Sequence, residues 1–447
     1  LSRCDNPSAF SGRKSNWRIE VANPNEVGYK TTMAKQPEEV FTPRSAKVNA
    51  DMYVRRPELE SALAKAIKGS LNIVMHGQSG CGKSWLYKQV LEDNDAVFLQ
   101  ANLSNAARLG SITAEIKNVV SRRGEAGLKS FSEGKSSELN IAVASADIEH
   151  TKEFDVGQME PFEHCLQIAR KQSGEKSAFL VLDNLEFIFG VQNLMDELAS
   201  LITLLDDERY SQYRVKLVVV GVPGGLRSYY NRTGNRSSVA NRLFEIPEVS
   251  RLERNEAREL VVRGLETQLG FSFEAAERDV ILDHIIWVTD RIPQRVHEYC
   301  LDLAKLAIDA RRVFKSFLPE VDKAWLSSSL SNVYGVIENW MNERETKIGR
   351  RNQLLYSLGK VTKDEFRFGE IEAVLRAEFP ESTSDRGLNT NQMLGEFCGS
   401  DEPILKNAPK GDGYMFADPK FRLCIRVMLK KDPAKETVER VMIDTII

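Results

Sequence analysis

Apolar and polar positions change period along this chain in a regular order. Short apolar runs recur at 71–75, 96–100, 178–182, 215–220 and 243–246, and this spacing predicts strands. Between the runs, apolar residues fall three and four apart, which predicts helices. Residues 53–69, YVRRPELESALAKAIKG, carry that spacing through Leu59, Leu63 and Ile67 and end at Gly69. Continuous apolar strands alternating with helices imply an α/β fold with a parallel sheet covered on both faces. After Ile246 the helical period runs on to about 335. Residues 340–447 read as a separate small unit, with helices at 352–361, 368–379 and about 388–398, then a Gly-containing hairpin within 404–428.

Two stretches break the pattern. Residues 1–48 are polar with little periodicity and read as an extension, partly disordered alone. Residues 124–158 are rich in Gly and Ser with one alternating patch, and read as an inserted hairpin or mobile loop.

The first strand leads into candidate chemistry. Residues 71–86 read LNIVMHGQSGCGKSWL, and Gly77 to Ser84 fit G-x-x-x-x-G-K-[ST], the phosphate-binding loop, between a strand and a helix. Gly77, Gly80 and Gly82 let backbone N–H groups turn inward around phosphate oxygens, with Gln78, Ser79 and Cys81 between them. The helix that follows, from Lys83 through Trp85, starts at the anion with its positive end. Lys83 supplies a mobile charge for the β- and γ-phosphates, and the Ser84 hydroxyl suits Mg²⁺. The ligand expected is ATP or ADP. A second half lies at 178–186, AFLVLDNLE, where an apolar strand delivers Asp183 to the edge at which open α/β sheets bind ligands. Asp183 would hold the Mg²⁺ shell. Asn184 follows it; an amide orients water but takes no proton. Glu186 is the nearest alternative base, and it reads equally as a surface or capping carboxylate. Hydrolysis is therefore expected to be slow, or to need a partner. Lys83 and Asp183 stand 100 positions apart, which leaves room for an extra strand between them.

Composition narrows the classes. The chain has 447 residues, 42% hydrophobic and 28% charged, as in globular proteins of two to four domains. No apolar run reaches the roughly 20 residues that span a bilayer, so no membrane partner is expected. The first residues, from Leu1, lack a signal-peptide pattern. Six cysteines are scattered without a C-x-x-C pair, which points to a reducing cytoplasm and no structural zinc. His164 and Cys165 adjoin, but neighbours on a helix point apart, and ordinary packing explains them. A net charge of −3 argues against coating nucleic acid by bulk electrostatics, and leaves a local basic groove open.

With these motifs the chain resembles the AAA+ ATPases, in particular their origin-recognition (ORC/Cdc6-like) and STAND-like branch, over about 45–447. The resemblance implies an additional-strand P-loop core at 49–249 with the insert at 124–158, a helical lid at 250–335 and a winged-helix domain at 336–447, after the extension at 1–48. YVRRPELE (53–60) is similar to the family's segment near the adenine, with Tyr53 and Arg56 at the matching positions. KLVVVGVPGGL (216–226) occupies the sensor-1 place with Gly-Val-Pro instead of a polar residue. Within 237–261, Arg242 matches the arginine finger, with Arg236 second. TDRIPQRVHEY (289–299) resembles the sensor-2 segment, where Arg295, or Gln294 if the alignment slips by one, would meet the γ-phosphate. Each of these arginines reads equally as a solvated surface charge. The 413–429 segment resembles a wing strand and closing helix. A winged helix usually sets its third helix in a DNA major groove. Here that helix, 388–399, offers Asn389, Asn391 and Gln392 to base edges but carries no Lys or Arg, leaving Arg386, Lys406 and Lys410 for phosphates.

Two functions stay open. One is a nucleotide switch acting on double-stranded DNA, of initiator, transposition or antiviral-defence type, with ATP completed by an arginine from a second copy in a homo-oligomer. The other is a STAND-type scaffold that binds ATP or ADP and recruits or restrains a protein effector. The long helical segment and the terminal unit do not fit a small-molecule kinase.

Overall fold

The computed structural model describes residues 35–122, 159–221, 225–233, 236–342, 349–384, 387–399, 401–408, 411 and 413–443. The insert at 124–158 and the first 34 residues lie outside the described residues, as do Arg386 and Lys410.

Five strands form one parallel sheet: β1 (Asn72–His76), β2 (Val97–Asn102), β3 (Ala178–Asp183), β4 (Val215–Gly221) and β5 (Leu243–Glu245), in the order β2-β3-β4-β1-β5. All five predicted strands are present within two residues of their expected limits. Buried on both faces, β3 is apolar throughout until Asp183. Register puts the C-terminal ends of β1, β3 and β4 on one edge, with Asn102 opposite Asp183 and His76 opposite Gly221. β2 is the extra strand expected between Lys83 and Asp183. Two apolar clusters cover the two faces. One is built on Val74, Leu180, Leu182, Val219 and the helices beyond β2 and β3. The other is built on Ile73, Met75, Val181, Val218 and Val220 with α2 (Pro57–Lys68) and α3 (Lys83–Asp93).

Three expectations are corrected. The helix predicted over 53–69 begins only at Pro57, because proline suits a first helical position and bars the helical region to the residue before it. Tyr53 and Arg56 therefore lie outside the helix. Residues 35–48, assigned to a polar extension, are instead packed: α1 (Pro37–Val40) is a single turn, and Val40 and Phe41 are buried. Two large apolar anchors suffice to seat a short segment that has no period. Within 404–428 the hairpin strands occupy only Leu405–Asn407 and Tyr414–Phe416, and Lys420–Met428 is a helix.

Beyond β5 the chain is helical. The helices Arg278–Val288 and Pro293–Ala307 pack with Leu318–Ser329 and Ser331–Trp340. The last part runs helix Arg350–Lys360, strand Glu365–Phe366, helix Phe368–Glu378, helix Thr390–Cys398, then the two hairpin strands. Those strands form an antiparallel sheet of three with Glu365–Phe366 at one edge. In the helix Lys420–Met428 every residue from Phe421 to Met428 is buried. One continuous apolar cluster joins Phe41, the helices after β5 and this last part. No helix among the described residues is long and apolar enough to cross a membrane.

Candidate functional site

A cavity of about 330 Å³ opens where β1 and β3 end. That is within the range of small-molecule sites. Its walls include the loop Ser79–Ser84 with Trp85, the carboxyl end of β3, the segments 42–46 and 52–56, and the first turn of helix Pro293–Ala307.

The loop leads into α3 through Gly82, which is left-handed at φ 88°. Gly80, at φ 82°, does two things. It turns the chain, and its bare Cα lets the helix after Ile292 close on the loop: a Cβ there would lie 3.1–3.2 Å from Ile292 and Gln294. Lys83 Nζ donates to the carbonyls of Gly77 (2.8 Å) and Gln78 (3.0 Å). Gly77 and Gln78 themselves stand behind the cavity wall. Burial lowers the Lys83 ammonium from its ordinary value, opposed by the nearby Glu186 carboxylate. Cys81 is buried, and burial pushes its thiol up to about 11, so it is an inert packing residue.

Asp183 accepts four hydrogen bonds. Its Oδ2 accepts from Ser84 Oγ (3.2 Å), Tyr87 OH (3.1 Å) and Gln100 Nε2 (3.3 Å), and its Oδ1 from Asn184 N (2.9 Å). Tyr87 and Gln100 were missed by sequence reasoning; neither position belongs to a motif. Oxygen donors on Ser84 and Asp183 fit Mg²⁺, which when bound would neutralise phosphate charge.

Asn184 sits in the left-handed region at φ 69°, and its amide donates to Asn102 Oδ1 at 2.9 Å. Beside Asp183, a second carboxylate, Glu186, lines the cavity. Gly221, in the place expected to hold a polar sensor, makes room for it: a Cβ there would lie 2.8 Å from Leu185 N and 2.9 Å from Glu186 Oε2.

The opposite wall joins three elements. Thr42 N donates to His297 Nδ1 (3.2 Å), Trp85 Nε1 to Ser45 O (3.0 Å), and Lys88 Nζ to Ala46 O (2.6 Å). His297 packs edge-on to Phe41 and Trp85, and burial lowers its pKa to about 4. It is therefore neutral, with Nδ1 accepting and the proton on Nε2. Thr42 Oγ1 is buried with no protein partner. His297 and Thr42 left no sequence signal: a lone histidine on an apolar helix face and a threonine in a polar stretch.

Tyr53 and Arg56 both line the cavity. Tyr53 OH donates to Glu60, and the Arg56 guanidinium spans Cys81 O (3.1 Å) and Ser250 O (2.7 Å). Arg295 does not line the cavity; it pairs with Glu298 at 2.7 Å, and its neighbour Gln294 takes the wall, donating from its backbone N to Gly80 O at 3.2 Å. A one-residue step on a helix turns the side chain by about 100°. Arg242 and Arg236 are also away from this cavity, paired with Asp206 and Asp196. On the helix Thr390–Cys398, Asn391 accepts from Tyr414 OH and Gln392 donates to Glu396.

Residues 67–229 match the family model described as AAA domain. This part of the chain is thus an AAA-type P-loop domain, the class that the loop and the sheet order define. No curated protein matches the sequence. Among solved structures, the chain is similar to the Walker-type ATPase of Pyrococcus abyssi, at 13% identity and TM-score 0.46, over 87% of this chain and 99% of that one. It is similar to the Aeropyrum pernix ORC2 protein in its ADPNP–ADP complexes, at 13% identity and TM-score 0.46, over 88% and 97%. It is also similar to Cdc6p from Pyrobaculum aerophilum, at 16% identity and TM-score 0.40, over 87% and 96%.

Proposed function

We propose that the protein is an ATP-binding, slowly hydrolysing nucleotide switch of the ORC/Cdc6-like kind, acting on double-stranded DNA. The observation that carries this reading is the meeting, in one cavity, of the phosphate loop, Asp183 and the first turn of a helix beyond the sheet. Phosphates would lie on the loop, with Lys83 on the β–γ side and Mg²⁺ between Ser84 and Asp183. The base would lie against residues 42–46, Tyr53 and His297. Glu186 would orient and deprotonate water; the water oxygen would attack the γ-phosphorus, the bond to the bridging oxygen would break, and ADP would leave with phosphate. With Asn184 turned to Asn102, turnover falls below about 1 s⁻¹, the low end for enzymes. Arg242 or Arg236 would act on a neighbouring copy, since neither lines its own cavity.

A winged-helix reading of the last part of the chain is supported by its element order: helix, strand, two longer helices with the single turn Pro380–Thr383 between them, and a hairpin. Its helix Thr390–Cys398 would enter a DNA groove, with Lys406 near the backbone. The absence of Lys and Arg from that helix favours a second reading, a STAND-type scaffold whose terminal unit docks an effector protein. Titration of duplex DNA at several salt concentrations, with ATP and with ADP, separates the two. A steep inverse dependence on salt supports the DNA switch. No binding to DNA in either nucleotide state contradicts it and leaves the scaffold.

A further inference from the structure

A cluster of buried charges lies behind the nucleotide cavity, where the helices after β5 meet the last part of the chain. Asp290 is its centre. Asp290 Oδ2 accepts from Arg251 Nη1 (2.6 Å) and Arg422 Nη2 (3.0 Å), and Oδ1 accepts from Arg426 Nη1 (2.9 Å). Asp364 takes a second bond from Arg422 (2.7 Å) and one from Arg251. Arg426 also holds the carbonyls of Trp287, Gly359 and Val361 and stacks 3.9 Å from the Trp287 ring centroid. Three guanidiniums thus face two carboxylates, and Arg422 Nε is buried with no protein partner. A junction selected for strength alone would be apolar, because desolvating charges offsets most of their attraction. Asp290 and Arg291 both adopt left-handed φ, 51° and 60°, so the turn that carries the cluster is strained as well.

Two single-bond arms run from this cluster to the phosphate loop. Asp290 stands in the turn just ahead of Gln294, whose N–H meets Gly80 O. Arg251 follows Ser250, and the carbonyls of both accept from Arg56, which also holds Cys81 O. The carbonyls of Gly80 and Cys81 belong to the same planar peptide units as the N–H groups of Cys81 and Gly82. An anion drawn onto those N–H groups tilts the units, and with them the two carbonyls that the arms hold. Cys81 N here donates to Gln78 O at 3.3 Å, a bond that a phosphate would replace.

We propose that the Asp290 cluster is a charge latch that couples nucleotide at the loop to the seating of helix Lys420–Met428, and so to the whole terminal unit. The proposal rests on reading the cavity as a nucleotide site. Coupling is reciprocal: whatever nucleotide does to the latch, loosening the latch does to nucleotide affinity by the same factor. None of Asp290, Asp364, Arg422 and Arg426 lines the cavity.

Hydrogen exchange of amides 420–432, measured on the full chain free and with saturating ATP or ADP, tests this. In the wild type the rate changes threefold or more with nucleotide. Asp290→Asn exchanges faster in every state and loses the nucleotide response. Asp364→Asn, at a half-exposed carboxylate, keeps the fold and shrinks the response, so it decides the case if Asp290→Asn does not fold. A wild-type response retained in Asp364→Asn and in any folded Asp290→Asn overturns the latch. Nucleotide binding by the wild type with no change at 420–432 also overturns it and leaves the nucleotide reading intact. Failure of the wild type to bind nucleotide overturns both.

Discussion

At the scale of single residues, the site rests on which side chain turns toward the cavity. Glu186 reaches it because Gly221 has no Cβ. If the proposed roles hold, the carboxylate on water and the loop on phosphate, Glu186→Gln should lower steady-state phosphate release at least tenfold while ATP affinity stays within a few-fold. An unchanged rate would remove Glu186 as the base. Gly221→Ala forces a methyl against Leu185 and Glu186, an overpacking that costs about 1–3 kcal/mol, read as a lower midpoint in urea. His297 gives a pH signature. Its folded pKa, about 4, lies below the ordinary histidine value of 6.5 because the ring is buried. The unfolded chain therefore takes up the proton first. Stability is full above pH 6.5 and falls as pH drops toward 4, by about 3 kcal/mol from this group. His297→Gln, with an acceptor still available to Thr42 N, should flatten that slope in urea titrations at pH 7 and 5. Motif residues such as Lys83 and Asp183 were legible because their chemistry demands fixed types at fixed spacing. Tyr87, Gln100 and His297 were not, since their roles depend on distant neighbours. Arg295 shows the limit within a motif: the segment is in place, but one step around the helix puts Gln294 on the wall.

At the scale of elements, strands were easiest to read. Five buried runs with β-branched and leucine residues leave little alternative once helices separate them. Short pieces were not legible. The parallel pair Ser272–Phe273 and Arg312–Val313 is two residues on each side, too short for a period. The terminal hairpin Leu429–Asp432 with Thr437–Arg440 is four residues on each side and rich in charge, too short and polar for a clear period. The segment 35–48 is the most consequential case. It carries Phe41 into the core, caps itself through Asn49 on the carbonyls of Glu39 and Val40, and forms one wall of the cavity. Removing residues 1–46 should weaken ATP binding tenfold or more while leaving the circular-dichroism spectrum of the sheet and helices nearly unchanged. Full affinity in the truncated chain would show that the base sits elsewhere.

At the scale of the molecule, the sheet supplies the phosphate side of the cavity, and the parts before and after it supply the rest. One apolar cluster runs from Phe41 to Val438, so the helical segment and the terminal unit share a core. The boundary read at 335 therefore falls inside a packed region, which periodicity alone does not reveal. Arg242 concerns assembly. Arg242→Ala should leave ATP affinity unchanged and lower phosphate release only at protein concentrations where copies associate; an equal loss in dilute protein would place its effect within one chain. The central claim is that ATP is held on the phosphate loop of this cavity. Equilibrium titration of ATP with Mg²⁺ into the wild type and into Lys83→Ala tests it most directly. Loss of a charged hydrogen bond of about 2–3 kcal/mol predicts affinity lower by roughly thirty- to a hundred-and-fiftyfold in the folded variant. Equal affinity in the two proteins would contradict the account.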